Sequence, residues 1–299
     1  MVEPFIGREV IAAGTMSKSQ LATRFRRLFP GVYVNRDVDI TAELRAKAGW
    51  LWTGRRGVVA GFAAAALHGS KWVDDAQVVE LIHDNRRSPP GIRAHQDRIG
   101  GDEIKVVAGV PVTSPVRTAL DLGCWYPITT AVAGIDALAR ATEIKAAAVE
   151  LLTRRYAGRR GIVGARRAVN LFDPGAQSPK ESWLRIVLIE GGLPRPQTQI
   201  PVRNEFGSAF AYLDMGWEDV KVAVEYDGEH HRTDNRQYGW DVRRLETLER
   251  LGWIVIRVLA GDRPDEVVGR VRGALAGRVC GQPHARGRTC GQPRARRKA

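Results

Sequence analysis

The chain has 299 residues, enough for two ordinary domains, and its 44% hydrophobic and 26% charged content fits a folded soluble protein. Its apolar runs are too short to span a bilayer, its first ten residues lack the basic-then-apolar order of a secretory leader, and three cysteines make no disulfide framework; a cytoplasmic protein without a membrane partner is expected. The net charge of +13 points to a polyanionic partner, and it is unevenly placed: residues 178–276 hold 14 basic and 16 acidic side chains, whereas the last 23 residues hold seven basic and none acidic.

Residues 17–34, "SKSQLATRFRRLFPGVYV", read as one helix and one strand. Ser17 is the expected N-cap, Leu21, Phe25 and Leu28 recur at helical spacing, and Pro30-Gly31 ends the helix. Lys18, Arg24, Arg26 and Arg27 are left for the outer face, as nucleic-acid contacts or as a solvated basic face. A helix is expected from Thr41 to Trp52, and another over the Ala-rich stretch 56–70. His68, alone beside that apolar helix, reads as structural. Short strands follow in 77–112, then a helix with Ser114 as cap and Pro115 at its first position. Helices over 129–142 and 144–155 complete an α+β half. Residues 154–168 carry six arginines and no acid, and read as a basic linker helix or a helical arm on a polyanion.

"DPGAQSP" marks a boundary, after which the pattern is helix, strand, strand, strand, helix, strand. Ser178, Pro179 and Glu181 open the first helix as a capping box. In "KVAVEYDGEHH", strand alternation puts Ala223, Glu225 and Asp227 on one face. Two carboxylates on one face repel unless a cation sits between them, and a hairpin with the preceding strand brings Asp214 beside Glu225. Three carboxylates at one sheet edge suit Mg²⁺, or Mn²⁺ in its place. Asp227-Gly228 is equally a common hairpin dipeptide. The segment from Gly277, with its repeat "CGQPHAR…CGQPRAR", is expected to be a disordered phosphate-binding tail.

Asp214, then Glu225-x-Asp227-Gly228-x-x-His231, then Asp241-x-x-Arg244, then Gly252-Trp253 and Arg257, resembles the family related to very-short-patch-repair (Vsr) endonucleases, of the PD-(D/E)XK superfamily. The resemblance covers about residues 178–276 and implies an α/β nuclease fold with an α-β-β-β-α-β mixed sheet. It implies a Mg²⁺-dependent DNA endonuclease in which Asp214, Glu225 and Asp227 hold the metal and Glu181 assists. The superfamily's Glu-x-Lys is Glu-x-Asp here. His231 then stands as candidate general base and Arg244 as a stabiliser of transition-state charge, with Arg243 and Arg257 as phosphate contacts or supports of the acidic cluster. Asp241 reads as an arginine's partner rather than a ligand. Residues 1–155 resemble, through Gly31-Val32-Tyr33, His68-Gly69 and Thr113-Ser114-Pro115-x-Arg117-Thr118, the AbiE-type antitoxins, which implies a winged-helix-like DNA-binding start over 1–52, truncated at its N-terminal side, an α+β domain over 53–155, and a cognate toxin as a possible partner. A basic linker over 156–177 and a tail over 277–299 complete the expected organisation. The missing lysine leaves open a non-catalytic DNA-binding regulator or antitoxin with a degenerate nuclease fold; a catalytic domain acting on RNA is a third reading.

Overall fold

The computed structural model describes residues 3–85, 87–203, 207–228 and 235–281; for 235–242 and 279–281 only the backbone course is described. The chain folds as two compact units, residues 1–187 and 188–299. Both are mixed α and β.

The first unit opens with β1 (Phe5–Ile6), α1 (Gly7–Ala12), α2 (Lys18–Arg24), β2 (Phe25–Phe29) and β3 (Val32–Asn35), and the strands make an antiparallel sheet in the order β1-β3-β2. Ser17 and Gln20 form the capping box of α2. The helix expected through Leu28 stops at Arg24, because Phe25–Phe29 pairs with β3 across Pro30-Gly31. A bulge between Arg27 and Phe29 breaks the alternation of β2. Leu21, Phe25 and Leu28 therefore imitate helical spacing while the last two lie on a strand.

After α3 (Ala42–Trp52), capped by Thr41 as expected, the Ala-rich stretch divides into β4 (Val58–Ala60) and α4 (Gly61–Leu67). Gly61 is what allows the junction. Its φ is +55°, and a Cβ there would lie 1.8 Å from Oε2 of Glu80. The fully buried Glu80 instead accepts a hydrogen bond from the Phe62 N–H at 3.3 Å and so caps α4 from the neighbouring strand. β5 (Val79–Ile82), β6 (Ile92–His95), β7 (Ile104–Val107) and β8 (Val110–Thr113) complete a mixed sheet in the order β6-β5-β4-β8-β7. Four helices follow: α5 (Pro115–Trp125), α6 (Ile128–Thr142), α7 (Ala146–Arg155) and α8 (Ile162–Leu171).

The stretch expected as a basic linker carries a packed helix. Residues 162–171 are α8, whose Ile162 and Ala165 pack with Leu120 and Leu152 in a core cluster. The arginines before it pair with acids both buried and exposed. Arg159 pairs with Asp97 and Asp121, both at 2.7 Å, and Arg155 pairs with Asp102 at 2.8 Å. Arg117 is fully buried and bonds Glu103 at 2.6 Å and Asp121 at 2.8 Å. Burial alone would lower the Arg117 pKa; the two carboxylates outweigh it and raise it. His68 is structural, its Nε2 lying 2.8 Å from the Thr113 carbonyl, and burial lowers its pKa. Burial pushes the Cys124 thiol up to about 11, so it is inert near neutral pH.

α9 (Pro179–Glu190) spans the boundary at residue 187, rather than following it as expected from "DPGAQSP". The second unit continues with β9 (Gln197–Arg203), β10 (Ala209–Trp217), β11 (Val222–Asp227), α10 (Asn235–Arg250), β12 (Ile254–Leu259) and α11 (Pro264–Gly281). The sheet order is β12-β11-β10-β9, parallel between β11 and β12 and antiparallel elsewhere. The element order agrees with the expected α-β-β-β-α-β. α11 is an addition: it packs against β11 and β12 with Val267 and Val271 buried, and it takes in residues 277–281 of the expected tail. The rest of that tail lies outside the described residues. Among the described residues no helix is long and apolar enough to cross a membrane.

Candidate functional site

β11 is the second strand of its sheet, so Val222, Ala223 and Val224 are fully buried. Its last three residues, Glu225, Tyr226 and Asp227, emerge to intermediate exposure. Ala223 packs with Leu248 of α10 in one cluster, and alternation puts Glu225 and Asp227 on that same face. Arg244 stands one helical turn before Leu248 and therefore reaches the strand end. Its Nη1 donates to Glu225 Oε2 at 3.0 Å, its Nη2 donates to Glu225 Oε1, and the same Nη2 lies 3.1 Å from the Tyr212 carbonyl. The Arg244 and Glu225 side chains are only 16% and 13% exposed, so this fork is sheltered from solvent.

The neighbouring strand supplies the second cation. Arg257 of β12 pairs in register with Glu225, and its Nη2 lies 2.8 Å from Asp227 Oδ2. Asp214 enters from β10, one residue beyond the Met215–Val224 pair, and its Oδ2 accepts the Tyr226 N–H at 3.0 Å. One end of the sheet thus gathers Asp214, Glu225 and Asp227 with Arg244 and Arg257.

Glu181 belongs to the first unit and serves the cap of α9: Oε1 accepts from Ser178 Oγ at 2.9 Å and Oε2 from the Gln177 N–H at 2.8 Å. Both of its oxygens are thereby spent on local structure. His231 lies outside the described residues, as does the side chain of Asp241. Arg243 is exposed beside Arg244. Of the expected DNA contacts, Lys18, Arg24 and Arg27 are exposed, while Arg26 is half-buried and donates to the Val38 carbonyl.

Hard carboxylate oxygens suit Mg²⁺ or Mn²⁺ in kind. The cationic compensation that the acids need comes from guanidinium groups, and among the described residues no three His, Cys, Asp or Glu side chains are grouped to hold a metal. Arg244, expected to stabilise transition-state charge, pairs with Glu225 in this structure.

No family model matches the chain. It is similar to two Mycobacterium tuberculosis proteins. These are "Uncharacterized protein MT2308" of strain CDC 1551 / Oshkosh and "Uncharacterized protein Rv2248" of strain ATCC 25618 / H37Rv, each 29% identical over 271 residues, or 88% of this chain and 96% of the relative. A match of that length reaches into both units. No solved structure matches.

Proposed function

We propose that the chain is a metal-dependent DNA endonuclease of the Vsr-like kind, whose basic N-terminal half, with its winged-helix-like start, holds the DNA. The observation that carries this reading is the bond from the Tyr226 N–H to Asp214. It brings a carboxylate of β10 to the residue lying between Glu225 and Asp227. While Arg244 and Arg257 pair with them, Asp214, Glu225 and Asp227 are not grouped to hold a metal; they would hold Mg²⁺ or Mn²⁺ only once those arginines are drawn away. Such an ion lowers the pKa of a bound water and offsets charge on the scissile phosphate. Arg244 orients the Glu225 carboxylate through two hydrogen bonds, Arg257 does the same for Asp227 through one contact, and Arg243 is a candidate phosphate contact.

The same guanidinium groups favour a second reading, a DNA-binding regulator or antitoxin that does not cut. Arg244 engages both oxygens of Glu225, and no lysine follows at the Glu-x-Lys position.

Incubation of the purified chain with supercoiled plasmid in Mg²⁺, Mn²⁺ or EDTA separates the two. Expected is nicking that EDTA abolishes and that the Glu225→Ala/Asp227→Ala variant lacks. Nicking that survives the double substitution overturns the site; DNA binding without cleavage in any metal establishes the regulator.

A further inference from the structure

A cavity of about 230 Å³ opens in the first unit, beside the end of α4, along α6 and under residues 176–182. Its walls are apolar and small: Ala133 and Ala137, one turn apart on α6, and Ala176 opposite. Asp136 and Ser182 also line it, but their polar atoms are turned to protein. Asp136 accepts from the Asp173 N–H at 2.7 Å and from Ser182 Oγ at 2.6 Å, and it pairs with Arg185 at 2.6 Å. The interior therefore offers shape and apolar surface rather than charge.

The mouth is different. Trp72 is 63% exposed, an unusual position for so large an apolar ring. Its backbone is left-handed, with φ at +66°, a conformation that a bulky residue adopts only under constraint. Its Nε1 donates to the Gln177 carbonyl at 2.9 Å, which fixes the indole at the rim. Lys71 and Arg140, both exposed, line the same mouth. Arg140 donates from Nε to the Pro174 carbonyl and from Nη2 to the Gly175 and Ala176 carbonyls, so its guanidinium is held in place with Nη1 left to face a ligand.

A fixed aromatic ring, a small apolar cavity and two cations together suit a ligand with a flat apolar body and an anionic end. The volume lies below the roughly 300–1,000 Å³ of drug-sized sites, which limits the buried part to about one ring system. We propose that this cavity is a nucleotide site. The base enters beside Trp72 and stacks on the indole, and the phosphate lies against Lys71 and Arg140. The nucleotide is either free or part of a single strand. The site is independent of the carboxylate cluster in the second unit.

Calorimetric titration of the full chain with adenosine 5′-monophosphate, cytidine 5′-monophosphate and adenosine tests the proposal, with a short single-stranded DNA as competitor. Trp72→Gly deletes the platform where the backbone already suits glycine, and Ala137→Phe fills the cavity from α6. Saturable binding of a monophosphate, weakened about tenfold or more by each variant, is expected. Lys71→Ala should remove most of the preference for the monophosphate over adenosine. Displacement by the single strand assigns the strand as source, and its failure to displace assigns the free nucleotide. Absence of saturable binding by both monophosphates and the strand overturns the proposal, as does binding that neither Trp72→Gly nor Ala137→Phe changes.

Discussion

Asp136 is almost wholly buried, and burial pushes its carboxyl from the ordinary 3.8 up to about 6, against the pull of Arg185, Ser182 and the Asp173 N–H. The sign of the consequence is opposite to that of most carboxylates. Below pH 3.8 both folded and unfolded chains hold the proton, and the group's contribution to stability is fully present. As pH rises, the unfolded chain ionises first, and the contribution is lost by the time pH passes about 6. The loss amounts to about 3 kcal/mol at 1.36 kcal/mol per unit. The stability of the chain minus that of Asp136→Asn, followed by urea unfolding between these pH values, should fall by about this much. A flat difference curve would refute the assignment. Glu225 and Asp227 show a different arrangement at the same scale: half-buried acids, each answered by an arginine from a neighbouring element.

Junctions between elements rest on single residues. At Gly61 the chain turns from β4 into α4, and the space a Cβ would take is filled by the Glu80 carboxylate. Gly61→Ala must therefore strain a positive φ and displace the group that caps Phe62. A loss of about 2–4 kcal/mol is expected, read as a lower urea midpoint; a shift worth under about 0.5 kcal/mol would show that Glu80 moves aside freely. This junction also explains what the sequence concealed. "VVAGFAAAAL" is continuous apolar text, and nothing in its periodicity separates three strand residues from the helix after them. β2 was hidden by its bulge, and α11 by four glycines, Gly269, Gly273, Gly277 and Gly281, in a segment with little amphipathic contrast. By contrast, helix caps at Ser17, Thr41, Ser114 and Ser178 were legible, because a cap is a local bond between near neighbours. The acidic end of β11 was legible from strand alternation. The arginines that neutralise it were legible only as candidates, since their reach depends on register and on the face of α10. The Trp72 cavity had no local signal, being assembled from segments around residues 70, 137 and 177.

At the scale of the whole molecule, charge is partitioned. The near-neutral stretch 178–276 carries the carboxylate cluster, while the excess of positive charge lies before and after it. If the terminal segment grips phosphates, deleting residues 282–299 removes six basic side chains, Arg286, Arg288, Arg294, Arg296, Arg297 and Lys298. The slope of log affinity for duplex DNA against log salt should then become shallower by up to about 5, measured by fluorescence anisotropy. An unchanged slope would place every phosphate contact in the rest of the chain.

The parallel pairing of β11 with β12 has a consequence for synthesis. Val222 finds its partner at Ile254, on the far side of α10, and Asp227 at Leu259. A nascent chain that has emerged only through β11 holds the buried run Val222–Val224 without the neighbour on that side, and its acids without Arg244 and Arg257. Long-range pairing of this kind forms late, because the intervening loop must close first. The second unit thus matures only after translation has passed Leu259, and until then Val222–Val224 can pair with β10 alone and leaves its other edge open.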